Sequence, residues 1–301
     1  MIYPRHVSAA AGDGACQAAA SRRRGPMLSA CAAVMLTAMA AAPATAADWL
    51  DDSLRGSYSS SGPVRWDGIN FGAQMGLSNM NTDFGNSSSS LIAYSLRNTT
   101  VQNEYQPSSW TTLPSNTTNG RQYGIFLGYN LQWDQLVLGL DGAYNRPSTL
   151  ESSARDSIGR QVTTSDSFVN QVTITSQSQA KLIDYTTVRA RAGYAMGQFL
   201  PYAVIGVAVG RFNYMTTAIT TVGGNSPSIA PPNNKYGPNT DTQTSGRNGA
   251  FSAGPVFGLG MDVAVTPNVF LRAEWEYAAF APIGGIRIGL NTGRVGVGVR
   301  F

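Results

Sequence analysis

The sequence predicts an all-β fold, an eight-stranded antiparallel transmembrane β-barrel with short periplasmic turns and three long extracellular loops. Three observations predict it. Only 13% of the 301 residues are charged, about half the share in an ordinary soluble domain, while glycine and tyrosine are abundant. Polar or charged residues interrupt every apolar run after Ala47, so no later segment could cross a membrane as a helix. The dominant hydropathy period is two, as a strand between lipid and a packed lumen requires. Plentiful aromatics and a formal net charge of only +4 exclude a disordered chain. With two cysteines and one histidine, neither a disulfide scaffold nor an ordinary zinc site is expected.

The chain opens on a secretion signal. Arg22, Arg23 and Arg24 precede the apolar run 27–42, and Pro43 and Ala44-Thr45-Ala46 follow, giving the small-x-small pattern of a cleavage site after Ala46. The stretch before Arg22 is long for a signal, as an upstream misassigned start would make it. Leu28-Ser29-Ala30-Cys31 resembles a lipoprotein box, but arginines rather than an apolar run stand before it. The expected organisation is therefore signal 1–46, a short periplasmic segment 47–65 and a barrel 66–301. Cleavage removes Cys16, Cys31 and His6. It also takes four basic residues and one acidic residue, which lowers the formal charge from +4 to +1. The basic character belongs mainly to the signal, so a nucleic-acid partner is not expected.

The strands follow in order. Trp66–Ser78 places Ile69, Phe71, Ala73, Met75 and Leu77 opposite Gly68, Asn70, Gly72, Gln74 and Gly76. Arg121–Gln132 and Gln135–Asn145 repeat the pattern, the second with Asp141 on its small or polar face. Lys181–Ala195 sets Val188, Ala190, Ala192 and Tyr194 against Arg189, Arg191 and Gly193. Leu200–Tyr214 is continuously apolar, and its facing is ambiguous. Ala250–Ala264 alternates, with Gly258, Gly260 and Asp262 on the inner phase. Val269–Phe280 opposes Arg272, Glu274 and Glu276 to Leu271, Ala273, Trp275 and Tyr277, and Ile286–Phe301 ends on alternating valines.

A soluble sandwich would carry charged residues on the face where glycine dominates here. Links near 132–134, 196–199, 265–268 and 281–285 are short. Those at 80–119, 146–180 and 215–248 are long and rich in Ser, Thr, Asn and Gln, the asymmetry of outer-membrane barrels. Alternation persists at Phe168–Thr175, which suggests hairpins rising above the membrane.

Trp66-Asp67-Gly68-Ile69-Asn70-Phe71-Gly72, Gly124–Asn130 (GIFLGYN), Thr187–Tyr194 (TVRARAGY) with Leu200-Pro201-Tyr202, and Leu271–Tyr277 (LRAEWEY) occur in that order. In this the chain resembles the porin-like outer-membrane β-barrel proteins of alphaproteobacteria, small eight-stranded barrels often called surface antigens. The resemblance covers Trp66 to Phe301 apart from the loops, and implies a bacterial outer-membrane location. It also implies that Phe301 is read by the barrel-assembly machinery through strand addition. The loops depart from the family in length, so no ligand or receptor carries over.

The residues offer little chemistry. Without histidine, the general base of familiar barrel hydrolases is missing, and no phosphate-binding glycine loop opens a helix. Neither cofactor nor metal is expected, and the chain reads as non-enzymatic. Glu274 and Glu276 could form a glycosidase pair, but flanking Arg272, Arg294 and Arg300 favour an internal ion-pair network. Asp141, Arg189 and Arg191 extend that network, or else line an anion-leaning constriction. Trp66, Trp133, Trp275 and Tyr202 read as interfacial anchors. The leading function is an envelope-structural, surface-presenting protein embedded in outer-membrane lipid and lipopolysaccharide. A small-solute pore and a loop-mediated binder or adhesin are the alternatives.

Overall fold

A computed structural model describes residues 64–226 and 234–301; the signal and its cleavage after Ala46 lie outside the described residues. The elements are β1 (Gly68–Asp83), α1 (Ser89–Ser95), α2 (Thr100–Tyr105), a 3-10 turn (Pro107–Ser109), β2 (Asn116–Trp133) and β3 (Leu136–Pro147). There follow β4 (Leu150–Thr163), β5 (Val169–Tyr194), β6 (Phe199–Asn225), β7 (Lys235–Ala264), β8 (Val269–Ile283) and β9 (Ile286–Arg300). All pairings are antiparallel. β1 pairs with both β2 and β9, and β3 pairs with β5, so eight strands close a ring. Among the described residues no helix is long and apolar enough to cross a membrane.

A ninth strand, β4, is additional to the eight of the ring. β3 pairs with β5 from Leu136↔Tyr194 to Asn145↔Tyr185, and β4 takes over the same neighbour from Leu150↔Leu182 to Thr163↔Val169. β4 therefore continues the line of β3 after a break at Pro147, whose ring removes a ladder donor. The long links are corrected too. Residues expected in the second and third loops extend β5, β6 and β7 to 26, 27 and 30 residues, against 15 for β9. Among the described residues, only the first loop holds helices. α2 starts at Thr99, whose hydroxyl accepts from the Gln102 amide and satisfies one of the free donors of the first turn.

On the ring, one phase of each strand faces out and is apolar. Ile125, Leu127, Leu140, Val188, Ile205, Phe257, Leu259 and Val297 are exposed there. Along β2, ten residues separate Trp133 from Tyr123, roughly 33 Å of strand and roughly 25 Å of height when tilted, the height of a lipid-facing band. The β8–β9 turn is Gly284-Gly285, with φ of 57° and 81°, a pair of left-handed positions that glycine adopts without steric cost.

The facing of β6 is settled. Leu200, Tyr202, Val204, Ala208 and Phe212 are buried inside, and Ile205, Val207 and Val209 face out. Irregular register interrupts β5 at Leu182/Asp184 and the β6–β7 pairing at Phe212/Tyr214. Beyond that level the pattern inverts. Val172, Ile174 and Ala218 are buried with Ile92, Leu96 and Val101 of the helical loop, while Gln171, Thr173 and Gln177 are exposed.

Candidate functional site: the charged layer of the lumen

The inward phase of five ring strands delivers eight charged side chains to one level. β3 brings Asp141, β5 brings Arg189 and Arg191, and β7 brings Asp262. β8 brings Arg272, Glu274 and Glu276, and β9 brings Arg294. All eight are at most 3% exposed. Strand period fixes this arrangement, because residues two apart share a face and register partners lie opposite. Asp141 is opposite Arg189, Asp262 opposite Arg272, and Glu274 opposite Arg294.

The contacts form one connected network. Arg191 pairs with Asp262, which accepts from Arg272 Nε at 3.0 Å and Nη2 at 3.1 Å. Arg272 Nη1 reaches Asp141 at 3.3 Å. The same Asp141 oxygen accepts from Arg189 at 2.6 Å. Arg189 Nη1 donates to both Glu274 and Glu276 at 2.5 Å. Arg294 closes the chain, its Nε 2.9 Å from Glu274 Oε1 and its Nη2 2.6 Å from Glu276 Oε2. Four guanidiniums thus meet four carboxylates, and the layer is formally neutral. Burial of charge on this scale is tolerable only with such pairing.

Aromatic rings complete the layer. The Tyr202 hydroxyl donates to Glu274 Oε2 at 2.8 Å, and the Arg191 guanidinium lies 3.5 Å from the centre of the Tyr202 ring, a cation–π geometry. A Cβ on Gly260 would clash with that ring, a close approach of the kind that keeps glycine in a strand. Arg272 lies 4.0 Å over Phe126.

Apolar layers bound the charges on both sides. Toward the β2–β3 and β5–β6 turns, Trp66, Phe126, Val137, Leu200 and Phe270 form a buried cluster. Toward the opposite end stand Met80, Phe84, Leu113, Leu182, Phe212, Phe280 and Ile288. Both oxygens of Glu274 and of Glu276 accept from an arginine or Tyr202, so the pair is committed to holding cations.

Seven of the eight lumen residues read from the sequence, Asp141, Arg189, Arg191, Arg272, Glu274, Glu276 and Arg294, meet here. Arg300 does not. It lies at the turn end, donates to the Pro267 carbonyl at 2.6 Å and stacks 4.6 Å over Trp66. Asp262 was the omission. Its place on the inner phase beside Gly260 marked it, and its opposition to Arg272 makes it a member. Two expected interfacial anchors are also corrected. Trp66 is 1% and Tyr202 5% exposed, because both fall on the inner phase, whereas Trp133 faces out. Phe301 is exposed and stacks on Phe71 with centroids 5.8 Å apart.

A family model described as outer membrane protein beta-barrel domain matches residues 29–301. Among solved structures, the chain is similar to the attachment invasion locus protein Ail of Yersinia pestis, with 13% identity and a TM-score of 0.30, covering 78% of this chain and 100% of that one. Neisserial surface protein A gives 15%, 0.32, and coverage of 77% and 97%. The outer membrane protein OprG of Pseudomonas aeruginosa gives 10%, 0.34, and coverage of 78% and 97%. No curated protein matches the sequence. A closed antiparallel ring, belted by apolar side chains and neutralised within, accords with the family match over residues 29–301. The chain belongs to the outer membrane protein beta-barrel domain family and is integral to the bacterial outer membrane.

Proposed function

We propose that the protein is a non-enzymatic, envelope-structural barrel with a closed lumen, which presents its extended strands and helical loop outside the cell. The observation that carries this reading is the neutral layer of four arginines and four carboxylates, enclosed between two apolar layers. A conducting lumen needs a continuous water path, whereas these side chains are bound to one another and at most 3% exposed. Within the family, the order of the Trp66–Gly72, Gly124–Asn130, Thr187–Tyr194 and Leu271–Tyr277 motifs supports kinship with the porin-like surface antigens of alphaproteobacteria.

Single-channel recording on the purified protein tests the reading. The expected result is a bilayer without discrete conductance steps, and reproducible ion-selective steps would establish the pore instead. A loop-mediated binder is the second reading, supported by a helical loop packed onto the long strands rather than left as coil. We further propose that Phe301, beside Phe71 at the β1–β9 seam, is the group the assembly machinery reads. Deleting it should leave much of the protein without heat-modifiable gel mobility, and unchanged mobility would contradict the role.

A further inference from the structure

The outer face carries its charge unevenly. At the turn end, the outward charges among the described residues are Asp134 and the Arg65–Asp67 pair, joined at 3.0 Å. At the opposite end, cations crowd the edge of the apolar band. Arg121 is the next outward residue after Tyr123 on β2, and Arg146 the next after Tyr144 on β3. Tyr123 faces Arg146 in register, so the two arginines occupy diagonal positions on adjacent strands, roughly 7 Å apart at the backbone. Both are exposed, and among the described residues neither is within ion-pair distance of a carboxylate. Two like charges held this close favour an anion between them.

A second cationic group stands where β5, β6 and β7 bulge. A cleft of about 720 Å³ opens there, lined by Lys181, Arg247, Asn213, Asn248 and Glu151. Lys181 is 3.6 Å from Glu151, and Arg247 is exposed and forms no ion pair among the described residues. Nearby Arg211 is already bound by Asp184. The cleft therefore keeps an excess of positive charge directly above lipid-facing Val209 and Phe251.

We propose that this rim binds the phosphates of the phosphorylated glycolipid of the outer leaflet, with Arg121 and Arg146 as one clamp and Lys181 and Arg247 as the other. The assignment rests on the reading that the extended strands point out of the cell. Arginine suits the role because its planar donors grip phosphate oxygens in pairs. The tyrosines beneath sit where aromatic side chains meet headgroups. A headgroup is favoured over a free anion because both clamps border the apolar band, where acyl chains would lie against the same strands.

The test uses the full chain in detergent, with bisphosphorylated lipid A as probe and its dephosphorylated form as control. Retained lipid is quantified by native mass spectrometry. Arg121→Gln/Arg146→Gln/Lys181→Gln/Arg247→Gln should retain at least fivefold less bisphosphorylated lipid than the parent, and the dephosphorylated form should bind both equally weakly. The two double variants are measured separately, with heat-modifiable mobility as the check on folding, and Arg→Lys replacements should keep most of the binding. Equal retention by parent and variants, or equal retention of both lipids by the parent, overturns the rim. Orientation is read independently by labelling Gln161→Cys on intact cells. A closed thiol there overturns the outward reading of the extension, whatever the lipid measurement gives.

Discussion

The lower ring and the upper extension are built from the same strands with opposite polarity. On β5, Arg189 and Arg191 point inward while Val188 and Ala190 point outward. Fifteen residues earlier on the same strand, Ile174 points inward and Thr173 outward. The surroundings decide which phase is apolar. Where lipid lies outside, polar groups go in and must be neutralised in pairs. Where water lies outside, the usual soluble arrangement returns. The changeover falls at the irregular register of β5, β6 and β7, where an extra residue lets a strand twist and re-aim its side chains.

Three experiments probe the contrast. The largest effect is expected from Glu274→Ala, which strips Arg189, Arg294 and Tyr202 of a shared acceptor. Breaking a buried ion pair from one side costs about 3–5 kcal/mol, and it should appear as a lowered unfolding midpoint of the whole ring in detergent. Intact stability with altered ion selectivity would instead mean a hydrated lumen. Ile174→Ala, in the upper cluster, should cost about 2–5 kcal/mol as a cavity. That cost should be felt in the extension alone, with faster proteolysis there and an unchanged heat-modifiable ring. If the ring melts with it, the two regions are one cooperative unit. The smallest effect is a matched pair on β6. Val207→Arg, on the lipid face, should lose about 2–4 kcal/mol in bilayers, while Thr217→Arg above the bulge should stay within about 0.5 kcal/mol. Equal losses would remove the distinction between the two outer faces.

Legibility in the sequence followed the same divide. In the lower ring, the lipid-facing phase is strongly apolar and the other phase is glycine or charge, so the period of two is audible on β1, β2, β3, β8, β9 and the lower parts of β5 and β7. That contrast placed Arg189, Arg272, Glu274, Glu276 and Arg294 on the inner phase. It failed on β6, where Tyr202 sits in a run apolar on both faces, and phase could not be told. In the extension, both faces draw on Ser, Thr, Asn and Gln. Ser178 bonds Thr216 at 2.8 Å inside, and Thr217 bonds Thr244 at 3.1 Å outside, yet hydropathy does not separate them. β4, reading LESSARDSIGRQVT, was therefore indistinguishable from a loop. Arg300 was misplaced for another reason: phase tells which way a side chain points but not its height, and its height is that of Trp66.

The buried layer also divides its charge unevenly among strand pairs. The β8–β9 hairpin contributes Arg272, Arg294, Glu274 and Glu276, which balance one another, while its further arginines, Arg287 and Arg300, stand outside the layer. β3 with β5 carries Asp141 against Arg189 and Arg191, one positive charge in excess, and Asp262 on β7 supplies the missing negative. Within the layer, the carboxy-terminal hairpin is balanced by its own pairing. The wall made by β3 and β5 keeps an excess positive charge unless Asp262 of β7 stands beside it. For that wall, neutrality is a property of the closed circle alone.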